Sequence, residues 1–491
     1  MLFNSAEYFI FFPVVSCVYF LIPQKLLRIR NLWLLAASYF FYMSWNASYG
    51  LLLFSVTLLT FLSALLIERA QKKENNAAAK VVLAVSLMLN IGLLCYFKYA
   101  DFIIENINRV IHTRFSLWNV LLPVGISFYI FQAAGYTIDV YLKKQAATKD
   151  FFTYALFVSF FPQLVAGPIE RSTNLLGQFE ECHTFEADRA REGLLMMLWG
   201  MFMKVMIADN LALYVDQVYG DYMAYAGVEI LLATVFFALQ IYCDFAGYTY
   251  LAIGSAGILG FRLMENFDAP YCAVTVKDFW RRWHISLTGW FRDYLYIPLG
   301  GNRKGEMRAI VNQLIVFFVS GLWHGAAWNY VVWGLLNGLY LCFGRLTREK
   351  RKAIRQKLSV KEDGFSYRFG SGILTFLLVD LSWLFFRAEG VGNACLILQQ
   401  MITAFQPPKA FGLLFARLGY TAAQWTAILF SLLLLIVFDV LKDKHKDVFS
   451  LVLKQGAWFR WLVYLGLLFM ILMYGAYGLD YTQTEFIYFR F

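Results

Sequence analysis

The chain is 491 residues long, 60% hydrophobic and 15% charged, with a formal net charge of +10. A soluble domain cannot hide that much apolar surface in one core, so the solvent for most of it is lipid. The basic residues fall in short clusters between apolar runs rather than along one stripe, which fits positive-inside loops and argues against nucleic acid as a partner.

Apolar runs recur near 8–23, 32–44, 51–67, 81–97, 117–135, 151–166, 193–208, 228–260, 309–343, 371–386, 425–441 and 461–479. Since about 20 apolar residues cross a bilayer, they predict an all-α polytopic membrane protein with roughly eleven to fourteen segments that enter the membrane. The first run is read as a retained helix with its N-terminus outside, because Met1 to Glu7 carries no Lys or Arg while Lys25, Arg28 and Arg30 follow it. Lys72, Lys73 and Lys80, then Lys143, Lys144 and Lys149, then Arg345 to Lys361, then Lys442, Lys444 and Lys446 mark cytoplasmic turns. After the Lys442 cluster one last span carries the C-terminus outside. The runs 228–260 and 309–343 are each long enough for a helix pair or a helix plus a re-entrant piece, and both hold polar residues deep inside. No repeat and no soluble domain interrupts the pattern: a single membrane domain covers 1–491, with 345–361 as its basic cytoplasmic loop.

Seven cysteines are scattered without a Cys-x-x-Cys pair or a histidine at ligand spacing, so neither a disulfide scaffold nor a metal site is expected. Of five histidines, His112, His183 and His445 lie in polar surroundings and read as solvated. His324 differs, standing in Ser320-Gly-Leu-Trp-His-Gly-Ala-Ala-Trp-Asn329 between apolar runs. An ionisable group at such depth is costly and therefore a functional candidate, the bland alternative being a hydrogen bond to a neighbouring helix. Its richest companion is the block from Lys277 to Asn302, which mixes Trp280, Trp283 and Trp290 with Arg281, Arg282, Arg292, Asp278, Asp293 and His284. Helical spacing would put Trp280, His284 and Thr288 on one face. Interfacial aromatics and snorkelling arginines explain the Trp and Arg content equally well, but leave the two Asp and His284 needing partners or water.

A histidine base in a low-dielectric channel can take the proton of a hydroxyl, let the oxygen attack a thioester carbonyl, and return a proton to the leaving thiolate. There is no Gly-x-Ser-x-Gly elbow, no His-Glu-x-x-His helix and no phosphate loop, which removes the common hydrolase, metalloprotease and NTPase readings.

Five ordered motifs then carry a resemblance: Leu122-Pro-Val-Gly-Ile-Ser-Phe-Tyr129, Phe161-Pro-Gln-Leu-Val-Ala-Gly-Pro-Ile-Glu170, Ile241-Tyr-Cys-Asp-Phe-Ala-Gly-Tyr248, the Trp280 to Gly301 block and Ser320-Gly-Leu-Trp-His-Gly325. With them the chain resembles, over nearly its whole length, the membrane-bound O-acyltransferases, in the bacterial branch of alginate O-acetylases and teichoic-acid D-alanyl transferases, and more the former. The resemblance implies a ring of membrane helices and re-entrant segments around a central channel, with His324 as catalytic histidine, His284 as its supporting polar position, and a thin floor between a cytoplasmic donor passage and an outward acceptor funnel. Substrate-binding or channel candidates are Trp280, Arg281, Trp283, Arg292, Asp293, Asp244, Trp323 and Asn329. The resemblance implies no permanently bound cofactor. The expected donor is acyl-CoA or an acyl carrier protein thioester, and the expected partners are membrane lipid, a glycan acceptor and an extracytoplasmic hydrolase-like acyltransferase, in a bacterial inner (cytoplasmic) membrane.

Acetylase-type relatives commonly read Phe, Ser and Asp where this chain has Cys243, Ala246 and Tyr250, so a polar contact near Asp244 is either rebuilt or missing. The terminal Phe486-Ile-Tyr-Phe-Arg-Phe491 resembles an acyl-relay motif of this branch, which makes Tyr488 a candidate transient acyl carrier; an aromatic interface anchor is the other reading. Two other functions remain open at this level: D-alanyl transfer from a carrier protein to teichoic acid, and a transporter or flippase. The lack of repeated halves speaks against the latter.

Overall fold

The computed structural model describes residues 1–165, 167–406, 420–445 and 447–477. Every regular element among them is helical, as lipid demands of a backbone that must pair its polar groups internally. In chain order the principal helices are α1 (Ala6–Leu21), α2 (Leu27–Met43), α3 (Ala47–Lys72), α4 (Asn76–Ile111), α5 (Ile126–Tyr141), α6 (Phe151–Ser159), α7 (Ala187–Gly220), α8 (Gly227–Leu259), α9 (Val276–Arg282), α10 (Ile285–Phe291), α11 (Glu306–His324), α12 (Trp328–Leu346), α13 (Arg348–Lys357), α14 (Phe365–Arg387), α15 (Val391–Thr403), α16 (Ala422–His445) and α17 (Ala457–Tyr474). Ser5, Asn46 and Asn75 start α1, α3 and α4 by accepting a backbone N–H from the first turn, which satisfies one of the donors a helix leaves unpaired.

Eight of these helices, α3, α4, α7, α8, α11, α14, α16 and α17, are long and apolar enough to cross a membrane, and α1 with the segment Gln24–Met43 makes a ninth if that pair, bent by 110°, counts as one span. The all-α, polytopic expectation stands, with fewer full-length spans than apolar runs. The reasons are local. Run 117–135 is helical only from Ile126, and run 151–166 is broken at Phe160 into pieces of 9 and 4 residues. Run 309–343 is a helix pair, interrupted at Gly325 to Ala327. Run 228–260 is instead one continuous helix of 33 residues, about 50 Å at 1.5 Å per residue, so it exceeds the apolar thickness without breaking. The basic stretch after Arg345 includes the ten-residue charged helix α13.

The chain forms two compact units. The first comprises Met1–Met197 with Tyr248–Glu265, the second Leu198–Gly247 with Asn266 onward. In the first, α3 is the centre against which α4, α5 and α6 pack, and the Tyr154 hydroxyl donates to Thr60 Oγ1 at 2.8 Å between α6 and α3. His183, expected to be solvated, lies half-buried there, its Nε2 2.9 Å from the Gln178 carbonyl and its ring against Phe261. The second unit contains α9 to α17 and both histidines of interest. Its α7 segment widens into a π turn at Phe202–Ala208, which brings the buried Lys204 Nζ to 2.7 Å from Asp209 Oδ1 and 2.8 Å from Asp244 Oδ1.

Candidate active site

His324 is the last residue of α11, and Gly325 leaves the helix in extended conformation. The return helix α12 lies close because both helices present glycine at the contact: a Cβ on Gly334 would run into the Phe317 carbonyl oxygen, and one on Gly321 into that of Tyr330. This hairpin sets His324, 3% exposed, against Trp333, with ring centroids 4.8 Å apart and planes at 86°. Trp323 at 4.9 Å and Phe386 of α14 at 5.4 Å complete an aromatic wall around the imidazole.

His284 reaches the same place by a different route. The sequence expectation of one helix face through Trp280, His284 and Thr288 is wrong: the helix stops at Arg282, Trp283 is extended, and His284 sits in the left-handed region with φ 43° before α10 begins. A non-glycine residue there carries strain, which persists where neighbours over-determine it. The segment after Glu265 does so. The Asp268 N–H donates to the Arg282 carbonyl at 3.0 Å, the Ile285 N–H to the Asn266 carbonyl at 3.0 Å, and the Ser286 hydroxyl to Asn266 Oδ1 at 2.6 Å, so the turn is pinned on both sides of His284. Its ring packs edge-on to Phe245 at 4.8 Å and lies 6.5 Å from that of His324. That spacing is too long for a direct hydrogen bond between the rings. His284 is 1% exposed, and burial pushes it down to about 3, so it is neutral at ordinary pH.

The other candidates divide. Trp323 touches both histidines. Trp280 lies edge-on to Trp333 at 5.7 Å and its indole donates to Asn337 Oδ1 at 3.3 Å. Trp283 is fully buried against Phe267, Phe279 and Trp383. Asn329 is buried, its amide donating to the Ala388 carbonyl at 3.0 Å. Asp244 is one residue from Phe245 and paired with Lys204 at 2.8 Å. Arg281 is exposed and paired with Asp278, and Arg292 pairs with its own neighbour Asp293 at 2.8 Å; neither is brought to the histidines by a described contact. Tyr488 lies outside the described residues.

Sequence reasoning missed Trp333, Trp383 and Phe386, which look like ordinary apolar residues until the helices are assembled. It also missed Lys204, Asp380 and Asp439, buried charges inside spans. Those were findable, since the rule that singled out His324 applies to them equally.

The family model of the membrane-bound O-acyltransferases matches residues 79–359. The probable alginate O-acetylase AlgI of Pseudomonas aeruginosa is 38% identical over 82% of this chain and 75% of its own length. The peptidoglycan O-acetyltransferase of Helicobacter pylori is 33% identical over 82% of this chain and 80% of its own. The teichoic acid D-alanyltransferase of Streptococcus thermophilus is 27% identical over 58% of this chain and 72% of its own.

Proposed function

The chain belongs to the membrane-bound O-acyltransferase family, and from that premise we propose that it moves an acetyl group from a cytoplasmic acyl thioester to hydroxyls of an extracytoplasmic polysaccharide. The single observation that carries the reading is the pair His324 and His284, converged from two chain segments at 6.5 Å inside an aromatic wall. His324 takes the proton of the acceptor hydroxyl as its oxygen attacks the thioester carbonyl, and returns it to the thiolate as the C–S bond breaks. His284, neutral and fixed by its pinned turn, supplies a hydrogen-bonding position on the opposite side of the reacting atoms. Trp323, Trp333 and Phe386 exclude water that would hydrolyse the donor.

Acetyl is favoured over D-alanyl because the two O-acetylating relatives match over 82% of the chain and the D-alanyl transferase over 58%. The donor is proposed to be acetyl-CoA or a carrier-bound thioester. The protein is a multi-pass membrane protein, proposed to sit in the bacterial inner membrane with a hydrolase-like acyltransferase as its outer partner. Tyr488 is proposed as a transient carrier of the acyl group toward that partner: its phenol is acylated while a histidine takes the proton, and the aryl ester is then a good leaving group. Mass spectrometry of envelope glycans from cells with and without this protein tests the proposal. Loss of O-acetyl esters on deletion is expected; unchanged acetylation, or loss of D-alanyl esters instead, would overturn it.

A further inference from the structure

The aromatic wall around His324 contains a hydrogen-bond donor that takes no part in the proton transfers of His324. Trp333 is 0% exposed, and its indole Nε1 has no hydrogen-bond acceptor among the described residues. Trp280 donates to Asn337 Oδ1 at 3.3 Å and Trp33 to the Val15 carbonyl at 3.0 Å, while the Trp199 indole is buried without an acceptor; what sets Trp333 apart is that its ring lies against the His324 imidazole at 4.8 Å. Asn337 also donates to the backbone carbonyl of Trp333 at 3.0 Å, so the residue that satisfies the neighbouring indole fastens the helix turn bearing Trp333 and does nothing for the Trp333 N–H. A buried donor without an acceptor is a standing cost that a ligand can relieve.

The ring is also held still. Trp383 stacks on it at 5.5 Å and 22°, Phe386 meets it at 5.0 Å, Trp280 at 5.7 Å and the His324 imidazole at 4.8 Å. A rigid donor in a dry chamber beside the base is what stabilises negative charge that develops only during reaction.

We propose that the Trp333 indole N–H holds the carbonyl oxygen of the acyl group during transfer, making Trp333 a further catalytic residue; this rests on the O-acyltransferase reading above. The acceptor hydroxyl oxygen bonds to the carbonyl carbon while its proton passes to His324. The carbonyl π pair moves onto oxygen, where it accepts the indole hydrogen bond. It returns as the C–S bond breaks, and the thiolate takes the proton from His324. The indole keeps its proton throughout.

The test uses the purified full chain, acetyl-CoA as donor, a de-O-acetylated alginate oligosaccharide as hydroxyl acceptor, and release of free CoA as readout. Trp333→Phe shortens the ring, so the decisive variant is Trp333→β-(3-benzothienyl)alanine, which keeps the shape and loses only the N–H. The expected result is a fall in kcat of about 100-fold or more with KM and melting temperature unchanged. Wild-type kcat in the benzothienyl variant, or a loss confined to KM, would overturn the assignment. His324→Ala is run in parallel: if it turns over acetyl-CoA at the wild-type rate, the acyltransferase reading of the site fails, whereas an inactive His324→Ala beside a fully active benzothienyl variant sinks the Trp333 role alone.

Discussion

Lys204→Met is expected to destabilise the second unit by about 3–5 kcal/mol, the usual loss when one partner of a buried ion pair is removed. The magnitude follows from the geometry. Lys204 Nζ lies 2.7 Å and 2.8 Å from Asp209 and Asp244, with all three side chains at most 4% exposed. At an effective dielectric near 20 each contact is worth about 6 kcal/mol of Coulomb energy, offset by the desolvation of three charges and by repulsion between the two carboxylates. Removing the lysine leaves that repulsion unopposed in a buried site one residue away from Phe245, against which the His284 ring rests. Equilibrium unfolding in mixed dodecyl-maltoside and SDS micelles measures the loss. The triple variant Lys204→Met, Asp209→Asn, Asp244→Asn carries no charge there and is expected to recover most of it. A single variant within about 1 kcal/mol of wild type, or a triple variant no more stable than the single, would refute the reasoning.

Three further expectations follow from the site. Gly334→Ala drives a Cβ into the Phe317 carbonyl and is expected to cost about 1–3 kcal/mol as overpacking, with acyl transfer reduced because the hairpin that aims His324 is wedged open; parental activity would show that the close helix contact does not set the site. His284, held down to about 3 by burial, stays neutral in the fold while the unfolded chain binds a proton below 6.5. Stability should therefore fall as pH drops through that window, by up to about 1.4 kcal/mol per pH unit, and stay flat above it on this group's account. Melting temperature against pH reads it, and His284→Asn, which tolerates the left-handed backbone, should flatten the acid side relative to wild type. Tyr488→Phe is expected to abolish acylation of the envelope glycan together with the acyl–phenol ester on the chain, both read by mass spectrometry; full glycan acylation in that variant contradicts the relay.

What the sequence made legible was set by how local each signal is. Membrane residence, the all-helical class and the prominence of His324 come from composition and from one costly residue in an apolar run, and all can be read along the chain. The conformation at His284 could not, because its backbone is fixed by Asn266 and Asp268, 16 to 18 residues earlier, whose hydrogen bonds override the helical spacing of Trp280, His284 and Thr288. The partners of His324 were hidden for a similar reason: Trp333 and Phe386 belong to different helices, and only the Gly321–Gly334 contact and the packing of α14 on α12 bring them to one imidazole. Arg281 and Arg292, picked out by charge density in a short block, form local ion pairs with Asp278 and Asp293.

The central claim is that His324 performs acyl transfer, and its most direct measurement is labelled acyl transfer by purified wild-type protein and His324→Ala at matched folding, checked by melting temperature. The account predicts that the variant stays folded, binds donor and loses transfer by about 100-fold or more, the scale of a general base removed. Transfer at the wild-type rate in the folded variant would contradict it.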